Sequence, residues 1–267
     1  MIRYSFMLID PLPAAQAELR RLFELLRSCG YDGIELDLAG APGDLGLLEH
    51  ELSRAGLVVP SFLTGAAYGE GLCLSAPDPQ VRRRTVGRLI QYLDVASRFR
   101  ALLVVGLLQG LRSDEPDPAQ AGCRIVEGLR QVSAAAVARG VELAIEPVNH
   151  LQVGFNHSVA EVCRLIDAIG SPACGPMVDT LHMNIEERSL VEPVRACGAA
   201  LRHVHLCESN GSLFGTGHLN FAAVLQALEG IGYSRFASVK VYRGSGLEEA
   251  ARTSIAHLRL AAGATAK

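Results

Sequence analysis

No apolar run in this 267-residue chain approaches the roughly 20 residues that cross a bilayer, so no membrane partner is expected. No export pattern opens it either: residues 1–8 are short and strand-like, with Asp10 and Pro11 directly behind. No CxxC pair occurs. The 7 cysteines, at positions 29, 73, 123, 163, 174, 197 and 207, are odd in number and scattered. That pattern speaks against a disulfide framework or a structural zinc site, and for reduced thiols in a cytoplasmic protein. Neither charge is in large excess: 25 Lys plus Arg face 28 Asp plus Glu, a formal net charge of -3. A broad basic surface for nucleic acid is therefore not expected. What the chain does have is 49% hydrophobic residues and only 20% charged, enough for a sizeable core and too apolar for disorder.

The apolar segments alternate between strand and helix periodicity. Strands are expected over 2–8, 33–37, 57–63, 101–107, 141–146, 177–179, 201–206 and 237–242. Helices are expected over 15–28, 44–54, 79–99, 119–139, 158–169, 190–199, 220–230 and 247–261. In the first helix, Leu19, Leu22, Leu25 and Leu26 carry the helical spacing. Arg82, Arg83 and Arg84 read as a solvated face whose stems cover apolar surface. Residues 262–267 read as a frayed tail. Eight strand–helix repeats in one domain over 1–267 point to a closed α/β fold, the (β/α)8 TIM barrel. The rival is an open doubly wound sheet. It lacks its dinucleotide signature, because Leu8-Ile9-Asp10-Pro11-Leu12-Pro13 stands where GxGxxG would follow the first strand. Gly215-Thr216-Gly217 reads as a turn or a loop over a ligand.

Barrel chemistry sits at the carboxyl ends of the strands. There the apolar runs end in Glu146, Asp179, His205 and Lys240, with Glu35 and Asp37 in the second strand. His182, Asn184, Glu208 and Asn210 follow close behind. Period-two alternation puts His203 and His205 on one face, and Ser238, Lys240 and Tyr242 on another. An inward ammonium must be paired or hydrated, and Glu146, Asp179 and a histidine supply partners. The same carboxylates and imidazole are also donors suited to a divalent cation. Salt bridges and helix caps are the plainer reading of single acids at these ends. His203 reads as a packed residue below His205, Met183 as a hydrophobic wall, and Cys207 has no basic partner fixed by spacing.

Three segments carry a family resemblance. They are Ile145-Glu146-Pro147-Val148-Asn149, Val178-Asp179-Thr180-Leu181-His182-Met183-Asn184-Ile185-Glu186-Glu187, and His203-Val204-His205-Leu206-Cys207-Glu208-Ser209-Asn210. Gly215-Thr216-Gly217-His218 adds to them, and Tyr31-Asp32-Gly33-Ile34-Glu35 resembles the second strand. The chain resembles the sugar isomerase and epimerase superfamily of xylose-isomerase-like barrels, nearest the D-tagatose 3-epimerase and D-psicose 3-epimerase group. The resemblance implies a site for Mn²⁺, Mg²⁺ or Co²⁺, with Glu146, Asp179 and His205 as metal ligands. It implies a proton shuttle at C3 of a ketose through an enediolate, with Glu146 as base and His182 contacting a substrate oxygen. Gln152, Glu208, Asn184, His218 and Glu35 join His182 as expected substrate contacts. Homodimers or homotetramers are also implied, with a small carbohydrate-like molecule as partner.

The departures from the family fall inside the site. Its fourth ligand and second base, a Glu of the eighth strand, is Lys240 here. An acid six positions after the first Glu is Gln152, and an Arg six positions after the metal His is Gly211. Lys240 removes an anionic ligand and adds a like charge, so the divalent metal is expected to bind weakly or not at all. The leading expectation is an isomerase or epimerase using Glu146 as base, with catalytic Lys240 or water as the opposite proton donor in place of the lost Glu. A lyase or dehydratase on a carbohydrate-derived keto acid needs one base only. A catalytically altered carbohydrate-binding barrel needs none. An abasic-site endonuclease, a rival from the same superfamily, is opposed by the mild negative charge and the site lysine.

Overall fold

Most helix ends are set by local chemistry. Asp44, Asp78, Asp117, Ser158, Asp179 and Asn220 cap helix starts by accepting backbone N–H groups. Helix ends close on left-handed glycines such as Gly30, at φ 102°, a conformation that costs glycine little. The computed structural model describes residues 1–40, 43–244 and 246–265. Its strands are β1 (Arg3–Leu8), β2 (Gly33–Asp37), β3 (Ser61–Leu63), β4 (Leu102–Val105), β5 (Leu143–Ile145), β6 (Cys174–Asp179), β7 (His203–Cys207) and β8 (Phe236–Lys240). Its helices are α1 (Gln16–Cys29), α2 (Leu45–Ala55), α3 (Pro79–Phe99), α4 (Pro118–Arg139), α5 (Val159–Ile169), α6 (Thr180–Glu186), α7 (Glu192–Cys197), α8 (Phe221–Gly230) and α9 (Leu247–Thr265).

The strands are parallel and close in chain order, β1 next to β2 and β8 next to β1, as the alternation of segments led us to expect. Outward residues such as Ile34, Leu103, Leu143, Val204 and Val239 join Phe23, Leu93, Leu129 and Leu258 of the helices in one apolar layer. Leu102, Val104, Ala144 and Met177 form a separate apolar cluster inside the barrel, with Leu63 against it. The inward positions then form two tiers along each strand. The deeper tier includes Ser5, Glu35, Ser61, His203 and Ser238; the tier nearer the mouth includes Met7, Asp37, Leu63, Val104, Glu146, Asp179, His205 and Lys240.

Several boundaries differ from the sequence reading. Residues 57–60 leave the ladder because Pro60 has no N–H, and Val58 keeps only an isolated bridge to Gly33. β8 stops at Lys240, so Tyr242 stands in the loop beyond it. The expected helix over 190–199 is shorter, passing into a 3-10 turn at Gly198–Ala200. The described residues hold nine α-helices rather than eight, the added one being α6, whose 7 residues were read as loop. Of the tail expected to fray, 262–265 complete α9, while 266–267 lie outside the described residues. No helix of the described residues is long and apolar enough to cross a membrane.

Candidate active site

The mouth tier lines a cavity of about 380 Å³. Met7, Asp37, Leu63, Val104, Glu146, His205 and Lys240 all face it; Asp179 lies just behind Lys240, fully buried. Glu146 fits there because residue 106 is glycine: a Cβ at that position would stand 2.5 Å from Glu146 Oε2.

His205 joins the two tiers. Its Nδ1 lies 3.1 Å from Glu146 Oε1 and 3.5 Å from Asp179 Oδ2. Its Nε2 lies 3.2 Å from Glu35 Oε1. Glu35 Oε2, at 3.1 Å from the same nitrogen, makes an ion-pair contact without hydrogen-bond geometry. Burial alone would strip His205 of its proton, but Glu35, Asp179 and Glu146 outweigh that and hold its pKa well above the ordinary value. His203 goes the other way, burial lowering it more than Glu35 raises it. Below the cavity, Glu35 Oε1 accepts from Ser61 Oγ at 2.5 Å and sits 3.0 Å from His203 Nε2. Burial would raise Glu35, yet His205 and His203 bring it below the carboxylate range. Glu35→Ala would leave a buried imidazolium short of its counter-charge. We expect about 3 kcal/mol of lost stability in urea unfolding, and an unchanged midpoint would mean that His205 is not charged.

Lys240 Nζ donates to Asp179 Oδ2 at 2.8 Å. Burial disfavours the ammonium, but Asp179 and Glu146 raise its pKa beyond that of a free lysine. Lys240 is thus a fixed cation rather than an amine base. The same charges act on the acids: burial would raise Glu146, but His205, His182 and Lys240 hold it below the ordinary glutamate value. Asp179, against Lys240 and the two histidines, lies well below its own. His182 Nδ1 accepts from Asn149 Nδ2 at 2.7 Å, which leaves its ring proton on Nε2. That nitrogen is 3.8 Å from both Glu146 Oε1 and Asp179 Oδ2. Burial lowers its pKa, against the opposing pull of Asp179 and Glu146.

Donor atoms of Glu146, Asp179 and His182 lie within 4.8 Å of one another, as do those of Glu35, His203 and His205. The described residues therefore include candidate metal-binding groups.

The residues expected to touch substrate are not all at the wall. Gln152 and His182 line the cavity, but Glu35, Glu208, Asn184 and His218 do not. Glu35 is committed to His203, His205 and Ser61 under the floor. Glu208 accepts the backbone N–H groups of Ser209, Gly215 and Leu219 and so ties its own loop together. His218 pairs with Ser209 Oγ at 3.1 Å and Asn184 Oδ1 at 3.2 Å on the exposed side of that loop. Two wall residues had no role in the sequence reading: Asp37, on the same face as Glu35, and Tyr242. The Tyr242 ring lies where a side chain on Gly211 would go, a Cβ there falling 2.4 Å from Tyr242 Cζ.

Comparison with known proteins places these features. Residues 23–261 match the family described as xylose isomerase-like TIM barrel. An L-ribulose 3-epimerase of Mesorhizobium japonicum is 31% identical over 225 residues, covering 83% of this chain and 74% of the relative. A D-psicose 3-epimerase of Enterocloster bolteae is 29% identical over 231 residues, covering 81% and 74%. A solved L-ribulose 3-epimerase structure superposes with a TM-score of 0.88 at 25% identity, over 100% of this chain and 96% of that one. With strands closed in order and the family match running from α1 into α9, the chain belongs to the xylose isomerase-like TIM barrel family.

Proposed function

We propose that this chain is a sugar isomerase or epimerase that acts on a ketose or related keto-sugar or polyol. Its chemistry would be proton abstraction next to a carbonyl. The observation that carries the reading is a carboxylate and an ammonium, Glu146 and Lys240, on one cavity wall at the strand ends. Support comes from the names of its relatives, which include L-ribulose, D-psicose and ketose 3-epimerases.

In this reading Glu146 takes the proton and an enediolate forms. His205 orients the carboxylate by donating to Oε1 at 3.1 Å. Exclusion of water alone would raise the Glu146 pKa. The direction is the reverse, because the surrounding cations outweigh burial. Glu146 is therefore ionised at neutral pH but a weaker base, and the deficit has to be met by acidifying the substrate. Lys240 and the Nε2–H of His182 both lie at the wall, where they stabilise negative charge developing on a carbonyl oxygen.

The residues around Asp179 do not fit a divalent cation as they stand. Oδ2 is held by the Lys240 ammonium at 2.8 Å and Oδ1 accepts the N–H groups of Leu181 and His182. Lys240 supplies the positive charge instead.

A panel of ketoses, keto acids and inososes in deuterated water tests the reaction class. The expected result, read by NMR, is solvent exchange and formation of an isomer from at least one ketose. Loss of a leaving group would move the assignment to a lyase, and binding without exchange would move it to a carbohydrate-binding barrel.

A further inference from the structure

Epimerisation inverts a carbon, so a proton must leave one face and another must arrive on the opposite face. Lys240 is poorly suited to deliver it, since its ammonium is the partner that Asp179 needs at 2.8 Å. We propose that Asp37 is the second proton-transfer group, serving the face of the reacting carbon opposite Glu146; this rests on the epimerase reading above.

In the mouth tier, Glu146, Asp179, His205 and Lys240 form a continuous charged arc over consecutive strands, β5 to β8. The rest of the ring is Met7 on β1, Leu63 on β3 and Val104 on β4, all apolar, with Asp37 on β2 as the one carboxyl among them. β2 stands three strands from β5 in the closed order, which sets Asp37 across the cavity from Glu146. A flat enediolate lying between arc and apolar wall presents its far face to Asp37.

The carboxyl is also held in place. Oδ1 accepts the N–H of Ala39 at 2.9 Å and Oδ2 accepts that of Ala66 at 3.1 Å. With the N–H of Gly65 also acting on the carboxylate, one of its roughly four acceptor sites is left for a ligand. Burial pushes the Asp37 pKa up, against the pull of the Ala66, Ala39 and Gly65 N–H groups.

Glu146 accepts the proton from carbon, and the C–H electron pair moves into the adjacent carbonyl to give the enediolate. Asp37 gives its proton to the other face, the enediolate pair forms the new C–H bond, and the carbonyl returns. Glu146 is then the acid and Asp37 the carboxylate, and both reset by proton exchange with water through the cavity mouth. The reverse reaction exchanges their roles.

The experiment separates the two faces. D-Psicose and L-ribulose serve as probes in deuterated water, and NMR follows C3 exchange and C3-epimer formation separately. The proteins are wild type, Asp37→Asn and Asp37→Ser. Asn keeps an oxygen for one of the two backbone N–H groups, and Ser guards against a fault peculiar to the amide. We expect epimer formation to fall about 10²-fold while exchange stays near the wild-type rate. Epimer formation that survives in either variant overturns the proposal. So does a proportionate loss of both signals in both variants, which is what a purely structural role of Asp37 would give. A wild type that exchanges neither probe overturns the C3 step proposed here, while the panel above decides separately whether the epimerase reading stands.

Discussion

Glu146→Gln should reduce solvent exchange at the substrate carbon by about 10³-fold while leaving the protein folded. The amide keeps the shape of the side chain and replaces the basic carboxylate by a group too weakly basic to take the proton. The fold should tolerate the change because His205 retains Glu35 and Asp179 as charged partners. Rate and stability should therefore separate: exchange by NMR lost, thermal midpoint close to wild type. Exchange that continues at the wild-type rate would remove Glu146 as the base, whatever else the site does.

The second large effect belongs to Lys240. Lys240→Met removes the charge facing a developing oxyanion and should slow exchange by about 10²-fold. It also leaves Asp179, fully buried, without its ammonium, and we expect a loss of about 3 kcal/mol in unfolding experiments. Lys240→Glu should do something different in kind. It replaces a cation by a fourth donor beside Glu146, Asp179 and His205, and a divalent ion then gains both a ligand and relief from repulsion. Calorimetric titration with Mn²⁺ should give stoichiometric binding in Lys240→Glu and little heat in wild type. Equal, tight binding in both would mean that Lys240 does not occupy the cation's place.

The architecture was legible because its two periodicities are local. Inward and outward residues alternate along each strand, and helix stops such as Gly30, Gly140 and Gly170 are single-residue events. α6 escaped because its 7 residues are too few to show a period and its cap, Asp179, is also the end of β6. The strand-end rule brought Glu146, His182, His205 and Lys240 to one cavity. Glu208, Asn184 and His218 stand off that cavity, because the segments beyond the strands bond among themselves and the sequence does not show which way they fold. The direction of the Glu146 pKa is not legible in the sequence for a related reason. Burial of a strand end can be anticipated from its own segment, but the charges that outweigh it come from α6, β7 and β8. Asp37 shares a face with Glu35 in any strand reading; that it stands across from Glu146 follows only from the closed strand order.

On this proposal, proton abstraction depends on Glu146 and the built-in cation Lys240, without a divalent metal. Its most direct test is the rate of C3 hydrogen exchange from D-psicose or L-ribulose in deuterated water, measured on wild-type protein before chelation, after exhaustive chelation and after Mn²⁺ is added back. The account expects one rate under all three conditions. A rate lost on chelation and restored by Mn²⁺ would contradict it.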